Sequence, residues 1–171
     1  NKHYQMILAS HIIISGILGS ETQNYFFAAT IGLASHYILD AIPHWDFYLS
    51  PDFDAQAKAK DGSLVKEKFF WKEISKVVVD ISIGLGLLFI FANFYKNTNT
   101  VPLIISGVFS ILPDALILLY WMTNWKFLKW NFDIQEFAHH LTRSKINPSF
   151  RLGIITQIAT IGIVLLILYK L

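Results

Sequence analysis

Residues 35–46 read Ser35-His-Tyr-Ile-Leu-Asp-Ala-Ile-Pro-His-Trp-Asp46. They close an apolar stretch, Thr22–Ala41, long enough to be a helix at the scale of a bilayer crossing. His36 and Asp40 are four residues apart and therefore share one helical face, where both can reach one ion. Pro43 disrupts the helix and frees His44 and Asp46 to turn back toward that face. Imidazole with carboxylate suits zinc, manganese or iron rather than a thiolate-type metal site. The plainer alternative is a hydrogen-bonded His–Asp pair packed inside a helical bundle.

Outward from this segment, four further stretches approach spanning length: Tyr4–Gly19, Val77–Tyr95, Val101–Met122 and Leu152–Tyr169. The chain has 171 residues, of which 54% are hydrophobic and only 15% charged. Soluble domains carry about 25% charged residues, so a membrane protein is expected and disorder is excluded. The fold class expected is all-α, a single membrane-embedded domain over 1–171 with about five transmembrane helices and interfacial helical segments. The first stretch is read as a retained helix, because Gly16-Ile-Leu-Gly-Ser20 is a poor signal-cleavage site.

Five spans put the start of the chain, a loop over 44–72 and an interfacial amphipathic segment over 123–150 on one side. Twelve Lys and Arg fall on that side and two, Lys96 and Lys170, on the other, so the richer side is cytoplasmic. Asp52 to Gly62 reads as a hydrophilic connector. Trp121, Trp125, Leu128 and Phe132 recur at helical spacing, as in an aromatic belt at a membrane surface or the wall of an acyl-chain groove. The net charge of +2 is too balanced for a generic nucleic-acid binder, and no nucleic acid is expected. Cysteine is absent, which removes disulfides and thiolate ligands. P-loop, Gly-x-Ser-x-Gly and His-Glu-x-x-His patterns are missing as well.

Small or polar residues recur at one-turn spacing in every apolar stretch: His11, Ser15, Gly19; Gly32, His36, Asp40; Lys76, Asp80, Gly84; Ser106, Ser110, Asp114; Gly153, Gln157. Close helix packing accounts for the Gly and Ser. It does not account for His11, His36, Asp80 and Asp114, since an ionisable group at mid-membrane costs roughly 2.5–3.5 kcal/mol. The five-span topology brings these four, Asp40, His44, Asp46 and the pair His139–His140 to the cytoplasmic side. The expected metal ligands are His11, His36, Asp40, His44, Asp80, Asp114, His139 and His140. Asp80 could instead pair with Lys76, and His139–His140 with headgroups. Asp46 is a candidate general base, and Arg143 a candidate phosphate clamp or headgroup anchor.

His11, Gly32-x-x-Ser-His-x-x-x-Asp40, Leu112-Pro-Asp114 and His139-His140 together resemble the membrane-bound metal-dependent hydrolases of bacteria. The order His36-Tyr37, Asp40, Pro43, His44 is more distantly similar to zinc-dependent phospholipase C and the P1-type nucleases. There the proline falls one residue later and the second histidine two residues later, where Asp46 stands here. The resemblance implies a bacterial inner-membrane enzyme with zinc, or manganese or iron, in a cluster of two or three ions, cleaving phosphoesters in a lipid or other amphiphile. The rival expectations are a non-enzymatic ion- or proton-translocating protein using the same buried groups, and a structural protein with satisfied polar pairs.

Overall fold

The computed structural model describes residues 5–42, 47–59, 64–95, 98–143 and 150–169. Eight helices carry it: α1 (Ala9–Gly19), α2 (Tyr25–Asp40), α3 (Pro51–Ala59), α4 (Lys68–Phe94), α5 (Thr100–Phe109), α6 (Leu112–Thr123), α7 (Lys129–Arg143) and α8 (Phe150–Tyr169). Among the described residues the sole strand pairing is a two-residue antiparallel bridge, Gln5–Met6 with Phe47–Tyr48, which ties the entry of α1 to the exit of α2.

α1 is the central helix, in contact with α2, α4, α5 and α8. Seven of its eleven residues are buried, so apolar sequence here means interior rather than lipid-facing surface. Its first amides have no side-chain cap of their own. Those of Leu8 and Ala9 donate instead to the Asp80 carboxylate of α4. A carboxylate in this position also meets the positive end of the helix dipole, worth up to about 2 kcal/mol where partly buried. α2 is capped conventionally, Asn24 accepting from the Phe26 and Phe27 amides.

α1, α2 and α5 approach until backbone meets backbone. Ser106 of α5 donates to the Ser15 carbonyl, and the hydroxyls of Ser15 and Ser35 bond to each other. A Cβ on Gly32 would lie 2.4 Å from the Ser106 carbonyl oxygen, a separation no real side chain tolerates.

The Val101–Met122 stretch is two helices. Pro113 cannot donate the amide hydrogen that would continue the ladder, so α5 ends at Phe109 and α6 begins with Pro113 in its first turn. The break sets Asp114 in the first turn of α6.

Among the described residues, two helical stretches are long and apolar enough to cross a membrane: α4 and the α5–α6 run, Thr100–Thr123. α4, with 27 residues, is about 40 Å long, against a hydrocarbon core of about 30 Å. Val78, Val79, Ile83, Phe89 and Ile90 are exposed along it. Of the five segments of the hydropathy reading, the described residues thus support two as spans. α1 has 11 residues and α2 has 16, about 16 and 24 Å.

The loop expected over 44–72 contains α3. Phe53 and Ala57, one turn apart on it, are buried with Phe70, Tyr120, Trp121 and Leu128 in an aromatic core. Trp121 and Leu128 therefore leave the expected belt and Phe132 packs against the same core, so that of the four Trp125 alone is exposed, together with Phe127, Trp130 and Phe137 outside that stripe. Lys76 pairs at 2.8 Å with buried Glu73, not with Asp80.

Gly32→Ala is expected to lower the stability of the purified protein in detergent by about 1–3 kcal/mol through overpacking. Gly86→Ala, with nothing within 4 Å of its new Cβ, should be neutral or gain about 0.5–1 kcal/mol from helix propensity. Thermal denaturation of the two variants checks this. Equal melting curves would mean that α2 and α5 are not held at backbone contact.

Candidate metal centre

The close contact at Ser15, Ser35 and Ser106 fixes the spacing of α1 and α2 one turn away from His11 and beside His36. His11, His36 and Asp40 are all buried and offer one ligand atom each within 4.8 Å of one another. Each oxygen of the Asp40 carboxylate faces one imidazole. Oδ2 lies 3.2 Å from His36 Nε2 and Oδ1 3.5 Å from His11 Nε2. The two rings are 4.9 Å apart between centroids and tilted by 43°.

These separations suit a metal. Zinc bonds to nitrogen and carboxylate oxygen of about 2.0–2.1 Å, at tetrahedral angles, put ligand atoms about 3.3–3.4 Å apart. The His11–His36–Asp40 group can therefore hold a metal ion. The Gln135 amide nitrogen lies 2.8 Å from His36 Nε2, and which of the two donates depends on the imidazole tautomer.

Gln135 also donates to Asp114 Oδ1 at 3.2 Å. It thus links the first turn of α6 to His36, so Asp114 adjoins the group through one side chain. One turn earlier on α7, Asn131 accepts from the Tyr37 hydroxyl at 2.9 Å and donates to the Pro113 carbonyl at 2.8 Å. α7 is fastened to α2 and α6 by these two carboxamides, both buried. Its opposite side exposes Trp130, Ile134 and Phe137. Nearby on the outer surface, the Lys129 ammonium bonds to Asp133, which holds its pKa above the usual lysine range.

Of the other expected ligands, Asp80 serves the amides of Leu8 and Ala9 and is not among the three-residue group. His44 and Asp46 lie outside the described residues. The backbone positions of His139, His140 and Arg143 complete α7, but their side chains lie outside the described residues. Gln135 and Asn131 escape a search for ionisable groups. Their signal was the one-turn register Asn131, Gln135, His139, an uncharged polar stripe among aromatic residues.

Beside His11 a small cleft opens between α1, the end of α2 and α8. It is lined by Ile14, Leu39 and Ile42 on one side and by Gln157 and Thr160 on the other. No family model, curated protein or solved structure matches the chain.

Protein purified in detergent without chelator is expected to carry divalent metal by elemental analysis, and Asp40→Asn to lose it. Replacing the carboxylate by an amide keeps the shape and removes the charge that faces both imidazoles. Equal metal content in the two proteins would exclude Asp40 as a ligand.

Proposed function

We propose that the protein is a membrane-embedded, metal-dependent hydrolase acting on phosphoester bonds of a lipid or other amphiphile. The observation that carries this reading is the burial of two imidazoles and one carboxylate around a common point, in a bundle whose long helices match a bilayer. Charged and imidazole groups are costly there and are retained for a purpose. In this reading α1, α2 and α8 accompany the two long helices, giving the five-segment arrangement in a bacterial inner membrane with the His/Asp site toward the cytoplasm.

His11, His36 and Asp40 would hold the ion, zinc or manganese by the chemistry of the donors. A divalent ion supplies Lewis acidity toward a phosphoryl oxygen and brings the pKa of water toward neutrality. Asp114, held by Gln135, adds negative charge beside the centre and suits a further cation. Asp46 as general base and Arg143 as phosphate clamp rest on the sequence alone, as do His44, His139 and His140 as additional ligands. The cleft beside His11, apolar on one wall and amide- and hydroxyl-bearing on the other, suits the junction between a polar headgroup and an acyl chain.

A second reading, ion or proton translocation, draws on the continuous contact chain Asp114–Gln135–His36–Asp40–His11. Its extension beyond the site is weak. Ser35 donates to the Gly32 carbonyl and Ser106 to the Ser15 carbonyl, so these hydroxyl hydrogens end on backbone.

Two measurements test the proposal. With zinc or manganese, wild-type protein in mixed lipid–detergent micelles should release a water-soluble phosphoester product from phospholipid, and the His36→Ala/Asp40→Ala variant should not. Metal-loaded protein that cleaves no phosphoester, but dissipates an ion or proton gradient in vesicles, would favour translocation. The chain has no cysteine, so single cysteines can report topology. Lys72→Cys and Lys129→Cys should label from the cytoplasmic face and Thr98→Cys from the other. Labelling of all three from one face would overturn the five-segment arrangement.

A further inference from the structure

The His11–His36–Asp40 group supplies three donors, fewer than the four to six that a divalent ion takes, so a further protein donor still leaves room for water or substrate. Gln135 reaches the same place from a different helix. Its side chain is buried, with 2% of its surface exposed. Its carboxamide end lies 2.8 Å from His36 Nε2 and 3.2 Å from Asp114 Oδ1. The first distance is that of neighbouring ligands at right angles on a five- or six-coordinate ion, about 2.8–3.0 Å for bonds of about 2.0–2.1 Å.

A carboxamide has two ends of the same shape, one a donor and one an acceptor, and a half-turn about its last side-chain bond exchanges them. With no cation present, the N–H end belongs toward His36 and Asp114, because both present acceptors. A divalent ion among His11, His36 and Asp40 reverses the local field and favours the oxygen. Asn131, one turn away and bonded on both sides, holds α7 in register so that the exchange needs no movement of the helix.

We propose that Gln135 is the fourth protein donor of the metal centre, binding through Oε1, and that its carboxamide turns end for end between the metal-free and loaded protein. The proposal rests on the reading of His11, His36 and Asp40 as metal ligands. Two imidazoles, a carboxylate and a carboxamide oxygen form a mixed nitrogen–oxygen set, suited to zinc or manganese and poorly suited to copper(I).

The test is a cobalt(II) titration of the full chain in detergent, followed by visible absorption, which reports coordination number and donor type. Gln135→Leu should weaken cobalt binding about tenfold or more and alter the visible bands. Gln135→Glu, nearly isosteric and charged, should bind about tenfold more tightly and keep the visible bands of the wild type. If both variants match the wild type in affinity and spectrum, Gln135 only fastens α7 and the proposal is overturned. Should Gln135→Leu fail to fold, the glutamate variant alone decides. A wild type that binds neither cobalt nor any other divalent metal would overturn the metal reading itself, a failure separate from that of Gln135.

Discussion

The spacing of α1, α2 and α5 is set by one crowded place. Ser106 touches the α1 backbone and lies where the missing side chain of Gly32 would be. Nothing larger than glycine fits there, and the hydroxyls of Ser15 and Ser35 meet because the helices are this close. His11 is one turn from Ser15, and His36 follows Ser35 directly. The approach that permits the small-residue contact therefore delivers two imidazoles and the Asp40 carboxylate to each other. In a bilayer such packing is driven by close van der Waals contact rather than by water exclusion.

How much of this could be read from the sequence depends on the range of the interaction concerned. His36 and Asp40 are joined by helical geometry alone, and the apolar stretches fix an all-helical chain. His11 could be placed because a burial cost attaches to any ionisable group in such a stretch. The break between α5 and α6 falls at Pro113, inside a stretch that hydropathy reads as one span. Other features depend on partners distant in the chain. Asp80 looks like its neighbours in pattern, yet its carboxylate is taken by amides 71 and 72 positions earlier. Trp121 fits an aromatic belt by spacing, but α3 covers it, and α3 lies in a stretch that composition marks as a polar connector. Gln135 carries no charge and so offered no cost to notice.

α7 reverses the usual amphipathic arrangement. It buries Asn131 and Gln135 and exposes Trp130, Ile134 and Phe137. Water would favour the opposite rotation by several kcal/mol, since each large apolar side chain gains about 1.5–3 kcal/mol on burial. The observed rotation makes sense where the outer surroundings are themselves apolar or interfacial and the hydrogen-bonding partners are inside. The same side of α7 that fastens the helix carries the amide at His36, so anchoring and site geometry are one arrangement.

The Asp80 cap of α1 has a consequence for biogenesis. The amide of Leu8 finds its acceptor 72 residues later in the chain, and an unmet amide in lipid costs several kcal/mol. At about 5–20 residues per second of synthesis, the ribosome needs roughly 4–14 s to deliver that acceptor. During this interval the central helix of the finished bundle is its least complete part. The first amides of the helix made first therefore gain their acceptor only once α4 has been made.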